Sequence, residues 1–192
     1  ATVLPQRGDI EPDSFLPSSR SVAFRKDAWA AVGGYPEWLD YSEDLIFDMA
    51  LREKYGAFPF VDTAVAYFRP RGSLRAFFKQ YYRYARGDGK ANLWPKRHAI
   101  RYATYLLALP FILRLIWREK WWGWLLLGTG VTVYSRRPAQ RLWGATWGWR
   151  PPSRLRGLAL IPIIRLVGDV AKMLGYPVGL LWRWRQRDQI PS

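Results

Sequence analysis

Hydrophobic and polar positions change rhythm several times along this chain. Residues 1–20 are polar and broken by Pro5, Gly8, Pro12 and Pro17, a pattern of irregular connection. Residues 21–25 have the composition of a short strand. Residues 26–32 read as a short helix with Asp27 near its start, and Gly33 and Gly34 supply its left-handed exit. From residue 43 to 55 the spacing is helical, and Leu45, Ile46, Met49 and Ala50 predict one buried face. Ser42 is the expected N-cap, Gly56 the residue past the C-terminus, and Asp48 and Arg52 an i,i+4 ion pair. Residues 58–68 are β-rich. Ser73 then caps a helix predicted from Leu74 to about Arg86, dense in Phe, Tyr and Arg.

Past Trp94 and Pro95 the chain turns apolar. Residues 99–117 carry only Arg101 and Arg114, with Pro110 inside, and 121–135 carry no charge. Neither reaches the roughly 18 charge-free residues of a confident spanning helix, so interfacial, re-entrant or buried helices are expected, and a helical pair dipping into the bilayer stands level with a water-soluble bundle. Arg101, Arg118, Lys120, Arg136 and Arg137 stand at the ends of these runs, where basic side chains snorkel. A basic, Trp-rich loop is predicted over 136–156. A last apolar stretch follows over 157–182, interrupted by Arg165, Asp169 and Lys172.

Composition sharpens this pattern. The 192 residues carry a net charge of +15, with twelve Trp and eleven Tyr. Such a balance calls for an anionic partner, and Trp and Tyr beside Lys and Arg is the composition of a membrane–water interface. The same residues stack on bases, but no nucleic-acid-binding motif is present, and the uncharged 121–135 run favours anionic lipid. With no cysteine and a single histidine, His98, the chain has no disulfide, thiol nucleophile, Cys-based zinc site or multi-His metal site.

Two constellations carry candidate chemistry. Glu43 and Asp44 open a helix approached through a glycine turn and an aromatic loop. On local grounds alone the pair needs no function, because carboxylates at that end of a helix gain about 0.3–1 kcal/mol from its dipole. In a cleft, the same carboxylate is a general base that is always ionised and works by position. The second set is Gln80, Arg83 and Tyr84, at i, i+3 and i+4 on one helix face. An amide, a guanidinium and a ring there can meet a sugar and a phosphate together, or simply cover an exposed basic helix.

Gly33-Gly34-Tyr35, the loop to Glu43-Asp44, and then Arg52 and Gly56 resemble the C-terminal half of the catalytic domain of family-2 inverting glycosyltransferases, with the GT-A fold. Gln80-x-x-Arg83-Tyr84 is similar to that family's Q-x-x-R-W motif, with Tyr for Trp. The resemblance covers roughly residues 17–98, and is nearest to membrane-associated enzymes of the succinoglycan-type exopolysaccharide branch. It implies an α/β class, an α+β remnant of a GT-A domain in residues 1–98, followed by an apolar, largely helical membrane-associated region in 99–192. It implies Asp44 as general base, Glu43 positioning either that base or the acceptor, Arg83 facing the donor diphosphate, and Gln80 and Tyr84 facing the acceptor sugar. Gly34 and Arg71 complete the substrate-facing set. The donor would be a nucleotide-diphosphate sugar, the acceptor a lipid-linked or glycan hydroxyl, and the location the cytoplasmic face of the cell membrane.

The family's nucleotide-binding half and its metal-holding Asp-x-Asp have no counterpart in this sequence. The expectation is therefore the back half of an enzyme, inactive alone, whose Mg²⁺ or Mn²⁺ is held by ligands outside this chain. The alternative from another class is a non-catalytic membrane adaptor that retains a glycosyltransferase-like half-domain.

Overall fold

The computed structural model describes residues 10–186 and divides them into two compact units, 10–93 with 174–186, and 94–173. The described residues form helices and connecting segments and contain no β-strand. This overturns the expected α/β class with its GT-A remnant. The reason is visible in the two segments predicted as strands. Arg25 is extended at φ −76°, ψ 146°, but residues 21–25 pair with nothing, and 58–68 turns on itself through Ala64 N–H to the Val61 carbonyl at 3.1 Å. Strand-forming composition yields an extended backbone, but a strand also needs a partner to complete its ladder.

In the first unit, α1 (Lys26–Ala31) ends at Gly33 and Gly34, both at positive φ, with their N–H groups returned to the Ala30 and Trp29 carbonyls. The second helix, α2, is Glu43–Tyr55 and has the predicted bounds. Its buried face differs from the expected one. Phe47, Asp48 and Leu51 are buried, while Leu45, Ile46, Met49 and Ala50 are only partly covered. Aromatic neighbours set that orientation: Phe47 stacks on Tyr35 at 4.3 Å between ring centroids and meets Phe24 edge-on at 4.9 Å. The expected Asp48–Arg52 pair does not form, because Arg52 donates instead to the Asp13 carbonyl at 2.8 Å and the Ser14 carbonyl at 3.4 Å.

The third helix, α3 (Leu74–Lys90), begins at Ser73, whose hydroxyl accepts from Ala76 N–H at 3.2 Å. It runs one turn beyond its predicted end, straight through Gly87 and Gly89. Those glycines serve packing. A Cβ on Gly89, Gly175 or Gly179 would collide with the carbonyl oxygens of Tyr176, Tyr82 and Arg86 respectively. The end of the helix α7 (Pro151–Arg185) thus crosses α3 backbone against backbone, through a Gly-x-x-x-Gly pair at 175 and 179.

In the second unit, α4 (Pro95–Ala103), a π-turn over Thr104–Ala108 and α5 (Leu109–Trp117) join into one continuous 23-residue helix, long and apolar enough to cross a membrane. The π-turn sits where Pro110 removes an N–H from the ladder, and Leu109 N–H reaches back five residues to the Thr104 carbonyl. A tight turn then leads into α6 (Trp121–Ala145), which packs back on α5 with Gly123 against Ile116. The predicted basic loop over 136–156 is mostly helix: α6 continues through Arg136, Arg137 and a buried Pro138, and α7 begins at Pro151.

Candidate functional site

The two sequence constellations meet. Residues 40–42, the loop leading into α2, lie against one face of α3 in the first unit. Arg83 Nη1 donates to the Tyr41 hydroxyl at 2.8 Å, and the rings of Tyr41 and Tyr84 meet edge-on at 6.0 Å. Ser42, left-handed at φ 67° and buried, occupies the N-cap position of α2 without capping it. Its hydroxyl crosses to Asp88 at 3.0 Å. Gly87 lets this happen, because a Cβ there would strike the Tyr41 carbonyl.

Asp40, which sequence reasoning passed over, is the acid that binds α3. It accepts from Arg86 and, at 2.7 Å, from Lys90. Burial would raise its carboxyl, but the Lys90 hydrogen bond and the charges of Lys90 and Arg86 outweigh that and hold it below the usual carboxylate range. Lys90 also lies 4.5 Å over the Trp182 ring, which stacks on Trp38. The signal was present in the sequence. Arg83, Arg86 and Lys90 repeat at i, i+3 and i+7, one stripe of α3.

The predicted catalytic pair follows Tyr41 and Ser42 directly in the chain. Glu43 and Asp44 are both partly buried in the first turn of α2. Asp44 accepts from Leu45 N–H at 3.0 Å and from Ser19 N–H at 3.5 Å, so chain 25 residues upstream closes one side of its carboxylate. One helical turn further on, Asp48 is 1% exposed and its Oδ2 has no hydrogen-bond partner. Burial, and then the charge of Asp44, pushes the Asp48 carboxyl up to about 7. The Tyr35 hydroxyl is raised by burial first and then by Asp48, Asp44 and Glu43, so it lies within electrostatic reach of all three acids.

The other expected site residues divide. Gln80 donates to the Tyr84 hydroxyl at 2.6 Å, so both are satisfied by each other, next to Arg83. Gly34 is buried beneath the Trp29 ring, where a Cβ would come within 2.6 Å of the ring, and is a packing residue of the turn. Arg71 is exposed on the segment before α3 and joins none of the other site residues. No group of three or more His, Asp or Glu side chains among the described residues could hold a metal. Asp48 is almost fully buried and Asp44 is held by the Leu45 and Ser19 N–H groups, so these residues do not fit a divalent ion.

No protein-family model, curated protein or solved structure matches this chain.

Proposed function

We propose that this chain carries the acceptor-side catalytic segment of a membrane-associated, inverting glycosyltransferase of family 2. The observation that supports it most is the convergence of the Glu43–Asp44 turn with the Gln80–Tyr84 helix through Tyr41. This packs the segment that leads into the carboxylate base against a guanidinium and ring face, the residue types that transfer from a diphosphate-activated sugar to a hydroxyl requires. Asp44 takes the proton of the attacking acceptor hydroxyl, and its two backbone donors fix its direction. Glu43 lies beside it and orients the acceptor. Arg83, held by Tyr41, faces the donor diphosphate, and Gln80 with Tyr84 forms the acceptor-side wall. The proposal rests on this site and asks nothing of the GT-A sheet. The donor is a nucleotide-diphosphate sugar and the acceptor a lipid-linked or glycan hydroxyl. Anionic lipid at the cytoplasmic face holds the basic, Trp-rich second unit.

The test is sugar transfer by membranes containing the full-length protein, with a panel of labelled nucleotide-diphosphate sugars and a membrane lipid extract as acceptor. Asp44→Asn is expected to lower transfer by about 10²–10⁴-fold while donor binding persists. Turnover close to that of the parent removes Asp44 as the base. One observation favours a second reading, the non-catalytic membrane adaptor. Gln80, Arg83 and Tyr84 are all engaged by contacts within the chain, as side chains that only build structure are. Absence of transfer with every donor, together with unaltered membrane binding of Asp44→Asn, selects the adaptor.

A further inference from the structure

The second unit contains an ionic cluster on helices that leave many large apolar side chains exposed. Arg101 Nε donates to Asp169 Oδ1 at 2.8 Å, and the two side chains are only 17% and 13% exposed. The other Asp169 oxygen accepts from the Tyr105 hydroxyl at 3.1 Å and from the Tyr134 hydroxyl. His98 is buried and its Nδ1 lies 3.2 Å from Arg101. Arg165 lies 3.8 Å over the Tyr134 ring. Three helical stretches, 95–117, 121–145 and the first part of α7, supply these groups. Outside the cluster the arms are bare: Leu107, Phe111, Trp121, Trp124 and Val133 are all exposed, and no residue of the apolar window within 95–117 is buried.

The dimensions of the hairpin match a bilayer. The first arm rises about 30 Å from Arg97 to Trp117, the thickness of a hydrocarbon core, while the uncharged part of the second, residues 121–135, rises about 21 Å and leaves the exposed Arg136 and Arg137 to snorkel to the surface. Trp117, Trp121 and Trp122 gather at the turn, and Trp94 and Trp143 at the opposite ends, the two levels at which indole rings sit in a membrane. Charge is asymmetric. Lys96 and Arg97 open one arm and Arg136, Arg137 and Arg141 end the other, against Arg114, Arg118 and Lys120 in or near the turn. Arg101 lies four residues, about 6 Å, inside the end marked by Arg97. It is therefore below the hydrocarbon surface, where an ionised side chain needs a partner.

We propose that the 95–117/121–141 hairpin spans an anionic bilayer with its Arg118–Lys120 turn on the non-cytoplasmic side, and that Asp169, delivered by α7, is the counter-charge that lets the Arg101-bearing helix enter. This is independent of whether Asp44 is a catalytic base. It assigns α7 a role in insertion: the helix neutralises the buried guanidinium, and the hydroxyls of Tyr105 and Tyr134 satisfy the remaining carboxylate oxygen.

The absence of cysteine makes the test direct. Glu119→Cys in the turn and Ser153→Cys at the start of α7 are made separately in the full-length protein in a bacterial inner membrane. Each is treated with a membrane-impermeant maleimide in intact spheroplasts and in inverted vesicles. The expected result is labelling of Glu119→Cys from spheroplasts only and of Ser153→Cys from inverted vesicles only. Labelling of both from the same side, or of Glu119→Cys only after detergent, overturns the crossing. Adding Asp169→Leu to Glu119→Cys is expected to lower spheroplast labelling by about tenfold, less than the roughly hundredfold cost of one unpaired charge at mid-helix because Arg101 lies near the helix end. Adding Arg101→Leu as well is expected to restore it. If Asp169→Leu labels like its parent, or if the double variant fails to recover the labelling or the accumulation lost in the single one, Asp169 is not the counter-charge.

Discussion

The two units use the same pair of residue types under opposite conditions. In the first, Asp40 binds Arg86 and Lys90 at a half-open edge, with 44% of the Asp40 side chain exposed. In the second, Arg101 and Asp169 are covered while leucines, a phenylalanine and tryptophans face outward. The first unit packs Phe47 between Tyr35 and Phe24 and fastens its rim with charge. The second covers one ion pair and exposes many of its aromatics. The difference fits the bilayer placement proposed above for the second unit. Where water is present, an ion pair can sit at the rim and contributes little, and apolar burial drives folding. Where lipid takes the place of water, burying a leucine gains nothing, and satisfied polar groups with close packing hold helices together. The first unit also contains the exception that tests the rule, Asp48, a buried acid with no partner.

The firmest way to break the first unit is at its crossing with the end of α7. Gly179→Val puts a branched side chain where even a Cβ meets the Arg86 carbonyl. A loss of about 3 kcal/mol or more is expected, the scale of backbone-level overpacking. Thermal unfolding of the full chain in detergent, followed by circular dichroism, measures it, and a loss under about 1 kcal/mol on that scale would mean that the helices do not touch there.

Asp48 gives a smaller effect with a distinctive pH signature. Its carboxyl keeps a proton in the folded chain up to about pH 7 but loses it near 3.8 when unfolded. The folded state therefore binds the extra proton between those values, and its stability falls as pH rises from about 4 to about 7, then levels. Asp48→Asn removes the ionisable group. It is expected to stabilise the chain by about 1–2 kcal/mol at pH 8 and to leave it little changed at pH 4, flattening the profile between. Denaturant titrations at the two pH values check this, and parallel profiles for parent and variant would show that Asp48 is solvated.

Asp40 gives the smallest effect, with the opposite sign in pH. Its carboxyl is held below the usual range, so its ion pairs are in place above the unfolded pKa, and their contribution is lost as acid protonates the folded carboxylate. Because the side chain is nearly half exposed, Asp40→Asn is expected to cost only about 0.5–1 kcal/mol at neutral pH, progressively less as acid protonates the folded carboxylate, and less in high salt. A cost that survives 1 M salt would show that the rim is more enclosed than its exposure indicates.

What the sequence revealed, and what it did not, follows from the range of the interactions. The bounds of α2 and the cap at Ser73 are local matters and were legible. The buried face of α2 was not, because counting aliphatic residues favoured Leu45 and Ile46, whereas Tyr35 and Phe24 from the preceding segment bury Phe47. The strand assignments failed for the same reason, since a ladder partner is not a local property. In α6, Arg136 and Arg137 read as a loop because charge suggested solvent; the helix continues through them. Asp44 and Arg83 were legible as residue types, but Tyr41, which joins their segments, carries no such mark. Arg101 and Asp169 are 68 residues apart, and only the fold pairs them.

The π-turn at Thr104–Ala108 has a further consequence, one of angular phase. An α-helix advances each residue by about 100° around its axis, and a π-turn absorbs one extra residue without breaking the rod. The face of α5 is thereby set out of step with the face of α4. Arg101 can look inward to Asp169 while Leu107 and Phe111, only two turns on, look outward. Without that offset, a single straight helix would have to compromise between the direction its charge needs and the direction its apolar stripe needs.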